Sequence, residues 1–278
     1  MKLGLLIFLL VIFNFFVWHS IAEIRNFERP AFYFFEVGQG DSQLVVWPNG
    51  INILIDGGPN NLAVYELEKA LGPNDRYIDL VILTHPHYDH YAGLIDILNY
   101  YQVGLFIYNG RQSEAVAYQL LVENLNQANV RKIQLVEGDK IRYGRDLIKI
   151  IHPSIERLEE LSVNDGSLIF FVDNQGSRAL FTGDIGQREL RRLSERYDLS
   201  ADILKIPHHG SKHSMNEQIA QIILPKISVV GVGRNRFGHP AKEVIKMLID
   251  VGSSFYRTDN GTVKILVNQA KLSIFQIK

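Results

Sequence analysis

Apolar residues along this chain fall into short aromatic and β-branched runs, with amphipathic stretches interleaved between them. AFYFFEV (31–37), QLVVW (43–47) and INILIDGG (51–58) are separated by the turn formers Gly38-Gln39-Gly40-Asp41 and Pro48-Asn49-Gly50, which predicts strands joined by tight connections. A helix is expected over 62–71, then the strand DLVILT (79–84), with helices over 91–100 and 113–127. DLIKII (146–151), SLIFFV (167–172) and RALFTG (178–183) read as strands, followed by a helix over 186–196. The last third alternates: ADILKI (201–206), a helix over 215–223, ISVVGV (227–232) and a helix over 241–251. TVKILV (262–267) and KLSIFQ (271–276) then form a terminal hairpin around Asn268-Gln269. Two sheets packed face to face, with helices on both outer faces, accommodate this order. Periodicity alone leaves a doubly wound sheet equally open.

The first segment breaks the pattern. From Leu3 to Ile21 no residue is charged, and Lys2 precedes the run. Its length approaches the ~20 apolar residues that a helix needs to cross a bilayer, and Trp18 and His19 stand where an interfacial belt falls. Ser20-Ile21-Ala22 offers a rival reading as a signal-peptide cleavage site. The apolar run is longer than a usual signal core, so the expectation is an uncleaved anchor over 1–24. A single-pass chain would then hold the domain over 31–278 outside the cell membrane, or release it if the segment is cut. Arg25 and Arg29, offset by Glu23 and Glu28, orient it only weakly.

Composition narrows the chemistry. With 46% hydrophobic and 21% charged residues, the 278-residue chain can bury a sizeable core. A net charge of −1 advertises no global affinity for polyanions, so an anionic substrate must be held by a local site. The absence of cysteine excludes disulfide partners and thiolate metal sites.

The run that carries chemistry is Thr84-His85-Pro86-His87-Tyr88-Asp89-His90, directly after the strand DLVIL. Pro86 keeps His85 out of helical geometry, so His85 and His87 can point one way from an extended loop. Asp89 and His90 fall at the turn into the next helix and can be aimed at a second point nearby. Imidazole with carboxylate suits Zn²⁺, Mn²⁺ or Fe. Each residue alone has a plainer reading. Asp56 before two glycines is equally a turn former, and Asp184 in Thr-Gly-Asp equally a helix cap. His152, before Pro153 at a strand end, reads as structural.

These residues resemble the H-x-H-x-D-H motif of the metallo-β-lactamase-fold superfamily, and their neighbours resemble the hydrolase domain of ComEC-type DNA-uptake proteins and stand-alone relatives. Val37-Gly38-Gln39-Gly40-Asp41-Ser42, Ile55-Asp56-Gly57-Gly58, Phe181-Thr182-Gly183-Asp184, Lys205-Ile206-Pro207-His208-His209-Gly210-Ser211 and Gly238-His239-Pro240 carry that likeness from Phe32 to the C-terminus. The resemblance implies an α/β fold, a four-layer αββα sandwich, which the apolar run at the start would precede as one transmembrane helix. It implies two divalent ions, Zn²⁺ or Mn²⁺. His85 and His87 would hold the first; Asp89, His90 and one of His208 and His209 the second, with His208 favoured; Asp184 would bridge them. Asp56 and Asp41 would support the ligands by hydrogen bonds. Many relatives supply a third histidine to the first ion. Here Val163-Asn164-Asp165-Gly166 stands in that place, leaving Asn164 as a weak ligand or substrate contact.

Two divalent ions against Asp89 and Asp184 would leave the pocket net positive and attractive to anions. Paired metals suit displacement at phosphorus, so the expected activity is a phosphodiesterase or nuclease acting on DNA. His239 would contact the phosphoryl group or the leaving oxygen. Ser211, Lys212, His213, Arg234 and Arg236 would hold neighbouring phosphates, although a solvated loop explains the basic ones equally well. Two rival readings remain. One is a cell-envelope phosphoester hydrolase of the phosphocholine-esterase kind, with Tyr88 and Tyr91 as an aromatic cage. The other is a non-catalytic DNA-binding module of the same fold.

Overall fold

The computed structural model describes residues 2–27, 30–174, 176–268 and 270–278, with the side chains of the first helix described from 4 to 18. After helix α1 (Lys2–Phe27), the chain lays down β1 (Ala31–Phe34), β2 (Gln43–Trp47), β3 (Ile51–Ile55), α2 (Leu62–Leu71), β4 (Tyr77–Leu83), α3 (Tyr88–Tyr100), β5 (Gln102–Tyr108), α4 (Val116–Gln127) and β6 (Arg131–Gln134). The second half adds β7 (Lys140–Tyr143), β8 (Asp146–His152), β9 (Ile169–Asn174), β10 (Ser177–Phe181), α5 (Gln187–Ser194), β11 (Ile203–Lys205), α6 (Glu217–Ile223), β12 (Ile227–Val230), α7 (Lys242–Asp250) and β13 (Ser254–Arg257). A hairpin, β14 (Thr262–Asn268) and β15 (Lys271–Ile277), closes the chain.

Two sheets result. One runs β15-β14-β1-β2-β3-β4-β5-β6, the other β13-β12-β11-β10-β9-β8-β7. The terminal hairpin therefore returns to the first sheet, pairing Val263 with Phe34. Strands such as β2 are buried along their whole length because both faces are covered. Val45, Ile53, Ile82, Phe170, Ala179 and Val229 fill the space between the sheets. Leu67, Leu94 and Leu121 pack α2, α3 and α4 on one outer face, and Leu190, Ile219 and Leu248 pack α5, α6 and α7 on the other. That is a four-layer αββα sandwich.

Within each sheet the parallel strands end at one rim. β3 and β4 run parallel with Ile55 beside Ile82, and β10 and β11 with Leu180 beside Leu204. The residues that follow those strands, Asp56, Thr84-His85, Asp184 and His208-His209, are thereby delivered to one edge of the sandwich, as open α/β sheets deliver their ligand loops.

The expectation of a membrane-spanning first helix is not upheld. Among the described residues, no helix is long and apolar enough to cross a membrane. α1 does form, and its large apolar side chains from Leu5 to Trp18 are exposed, outside all three packed cores. The flanks of that reading, His19, the Ser20-Ile21-Ala22 cleavage site and Arg25, lie outside the described side chains, as does Arg29.

Candidate metal centre

Three imidazoles at the rim share one construction: Nδ1 is engaged by the protein, and Nε2 is turned inward. His85 Nδ1 lies 3.0 Å from Thr84 Oγ1, and that hydroxyl donates to Asp56 Oδ2 at 2.8 Å. His90 Nδ1 lies 2.8 Å from Asp56 Oδ2. His209 Nδ1 lies 2.8 Å from the Gly231 carbonyl. In the neutral ring a proton on each Nδ1 leaves the Nε2 lone pair free, the tautomer that a metal ligand needs. All three Nε2 atoms face Asp184 Oδ2, His85 at 4.0 Å, His90 at 3.4 Å and His209 at 3.6 Å. The Nε2 atoms of His85 and His90, and Asp184 Oδ1, are buried without a hydrogen-bond partner.

Asp56 is the hub of this arrangement. It adopts φ 56° at the end of β3, where its carboxylate also accepts the Thr84 backbone N–H at 2.8 Å. Burial raises its pKa despite the neighbouring His90. Asp184 is held from behind by Ser167, whose Oγ accepts the Asp184 N–H at 3.1 Å and donates to the Asn164 carbonyl at 2.7 Å. Asn164 Oδ1 is itself buried and unpartnered. Asp89, in the first turn of α3, places Oδ2 3.2 Å from His209 Nε2. His87 is half-buried, its ring 4.8 Å from that of His85.

Electrostatics separate these groups. Burial and the charge of His90 push His85 well below the ordinary histidine value, so its imidazole is neutral. Burial opposes the charge on His90 too, but Asp184 and Asp56 outweigh it and lift its pKa well above normal. Burial would likewise raise Asp184, yet His209 and His90 hold it well below the usual carboxylate range. Asp89 is lowered against its own burial, by the His209 hydrogen bond first.

The structure corrects the preference for His208. Both histidines sit in left-handed backbone, at φ 48° and 51°, and this double turn swings His209 into the cluster while His208 stays half-buried beside His239, ring centres 5.9 Å apart. Asp41, expected only in support, is fully buried and grouped with His90, Asp184 and His209, ligand atoms within 4.8 Å of one another. Gly231 lets it in, since a Cβ there would stand 2.0 Å from Asp41 Oδ1.

Lys205, quoted above only as the first residue of the late histidine motif, was given no role there. This last residue of β11 is buried, pairs with Asp41, lies 3.7 Å from Asp184 Oδ1 and donates to the Gly183 carbonyl at 3.0 Å. The available signal was a lysine in the middle of the apolar run ADILKI, since lysine is rarely buried without a partner. His239 stands one ring outside the cluster. Lys212 and Arg234 are exposed, whereas Ser211 is buried and its Oγ accepts the His213 N–H at 3.4 Å. His152 bonds the Asp165 carbonyl away from the site. Of the two tyrosines expected as an aromatic cage, Tyr88 is exposed and meets Tyr91 edge-on, ring centres 5.8 Å apart, whereas Tyr91 is buried and edge-on against Tyr118 at 5.2 Å, so only Tyr88 offers a face to solvent.

The metallo-beta-lactamase superfamily profile matches residues 36–234. ComE operon protein 3 of Bacillus subtilis (strain 168) is 29% identical over 82% of this chain and 32% of its own length. Recombination protein 2 of Haemophilus influenzae is 25% identical over 87% of this chain and 29% of its own. The chain thus spans about a third of the length of these curated relatives, whose likeness supports the ComEC-type resemblance. Among solved structures, the metallo-beta-lactamase fold protein YhfI from Bacillus subtilis shares the fold at 14% identity, with a TM-score of 0.53 over 88% of this chain and all of that one. A diphosphatase of the PhnP family aligns at 15% identity, with a TM-score of 0.50 over 85% of this chain and 98% of its own.

Proposed function

This chain belongs to the metallo-β-lactamase superfamily and is a metal-dependent hydrolase, and we propose that it is a two-metal phosphodiesterase acting on DNA. The observation that carries the reading is the set of inward donors without partners, His85 Nε2, His90 Nε2 and Asp184 Oδ1, buried at one rim. Leaving a buried polar atom unsatisfied costs about 1–3 kcal/mol, and cations bound among these donors satisfy them together. His85, His87 and the Asn164 amide oxygen would hold one ion; Asp89, His90 and His209 a second; Asp184 lies between the two sets. Divalent ions there supply Lewis acidity toward a phosphoryl oxygen.

The chain's own residues do the rest. Asp56 fixes the tautomer of His90 directly and that of His85 through Thr84. Lys205 holds Asp41 and Asp184 in place across the seam between the sheets, and its ammonium offsets part of the negative charge of these two carboxylates. His239, kept neutral by burial and by His208, has its Nδ1 buried without a hydrogen-bond partner. Lys212, Arg234 and Arg236, exposed and next to the histidine motifs in the chain, would meet flanking phosphates. One relative's name, recombination protein, fits DNA as the polymer. The exposed apolar face of α1 supports a place at the cell membrane, with this helix as the tether.

Purified protein supplied with Mn²⁺ or Zn²⁺ should bind two ions per chain and cleave single-stranded DNA and bis(p-nitrophenyl) phosphate. Chelation, or Asp184→Asn, should cut turnover by more than the roughly 100-fold that outer-shell partners are worth. Turnover that survives both changes overturns the two-metal reading. Fewer than one ion per chain by elemental analysis would point instead to a binding module.

A further inference from the structure

The segment that carries His239 presents a second aromatic ring. Phe237 is 73% exposed, outside all three cores. A single apolar side chain at a surface is ordinary, but three features set this one apart. Its loop is closed by Asn235, whose Nδ2 donates to the carbonyls of Gly233 at 2.9 Å and His239 at 2.8 Å. The Asn235 Oδ1 accepts the N–H groups of Phe237 and His239, both at 3.1 Å. The Phe237 ring lies 5.6 Å from that of His239, inclined by 32°, and His239 lies 5.9 Å from His208, so a run of rings leads from solvent to the edge of the carboxylate–imidazole cluster. Arg234 and Arg236, both exposed, flank Asn235 in the same loop.

An exposed phenyl ring on a loop held by Asn235, with two exposed arginines in the same loop, matches the way unpaired bases are held: stacking on the ring, phosphates on the cations. We propose that Phe237 is a stacking platform for a nucleobase beside the scissile phosphodiester, which makes the substrate single-stranded nucleic acid. The proposal rests on the phosphodiesterase reading and adds the strand form. In a duplex the faces of internal bases are already stacked on their neighbours, so Phe237 has none to receive.

Fluorescence anisotropy with the full chain tests it, using short labelled phosphorothioate strands that resist cleavage. Phe237→Ala should weaken binding of a single-stranded adenine oligonucleotide by between about 5-fold and about 100-fold, from the usual worth of one stacked base. The loss should be far smaller for an abasic strand of equal length, and Phe237→Trp should restore the base-bearing affinity. An equal loss for base-bearing and abasic strands, an equal loss for duplex, or no loss at all overturns the proposal. Hydrolysis is scored separately. A wild type that discriminates base-bearing strands yet cleaves no phosphodiester keeps the platform and loses the phosphodiesterase, whereas cleavage with no base discrimination does the reverse.

Discussion

His208 and His209 are chemically identical neighbours, and their fates differ only by backbone. Two successive residues at positive φ are uncommon for side chains with a Cβ, a conformation that persists where the surroundings over-determine it. The bond from His209 Nδ1 to Gly231 and the approach of its Nε2 to Asp89 and Asp184 supply that constraint. His209→Ala should therefore lower the affinity for at least one metal ion by more than about 100-fold, and His208→Ala by less than about 10-fold, measured by chelator competition. A larger loss for His208→Ala would reverse the assignment. Thr84 and Lys205 belong to the same scale. Neither advertises a site by type, yet one relays Asp56 to His85 and the other ties Asp41 to Asp184.

Elements decide how closely those side chains can meet. The first turns of α3 press on the turn after β3: Gly57 N–H donates to the His90 carbonyl at 2.6 Å, and Gly93 N–H to Gly58 at 2.9 Å. A Cβ on Gly93 would stand 2.0 Å from the Gly57 carbonyl oxygen and 2.4 Å from that of Asn60, both rigid backbone. Gly93→Ala should cost about 1–3 kcal/mol of stability in urea unfolding, the usual range for overpacking. It should weaken metal binding as well, since it pushes His90 from Asp56; unchanged stability would mean that this contact yields. On the opposite face, Glu189 of α5 binds Arg157 at 2.9 Å and Arg192 at 2.9 Å. Burial would raise its pKa, but the Arg157 hydrogen bond and both guanidinium charges bring it below the ordinary 4.5. A lowered folded-state value gives stability that is present above the unfolded value and is lost as pH falls through the folded one. Wild-type Tm should thus drop more than that of Glu189→Gln between about pH 7 and about pH 4. Parallel Tm curves would remove Glu189 from that account.

For the whole molecule, the sandwich is complete without α1. None of the described side chains of that helix enters the three cores. Removing residues 1–29 should leave Tm unchanged while shifting the protein from the membrane fraction to the soluble one. A large fall in Tm would show that the helix packs on the domain; an unchanged distribution would remove its role as tether. The site lies where the two sheets meet at the rim. Asp41, Asp56, His85, Asp89 and His90 come from the half of the chain that builds the first sheet, from its loops and the start of α3, and Asp184, Lys205 and His209 from the end of β11 and the loops of the second. Metal binding should therefore join the two halves of the sandwich rather than brace one loop.

The amino-acid sequence by itself determined what could be read locally. α2 and β2 lie over the expected residues, and the ligand-bearing motifs sit at strand ends, because period and turn chemistry act over a few neighbours. β6, β7 and β13 escaped because RKIQ, KIRY and SFYR carry charge; they are the outer strands of the two sheets, where charge protects an open edge. β5 was hidden by Gly104 and by following α3 without a break, and only its place between β4 and β6 makes it a strand. The tertiary structure alone decided that His209 turns inward, that Asp41 joins the cluster and that Lys205 is buried with partners. Each depends on groups far apart in the chain being pressed together, an energy that no local pattern carries.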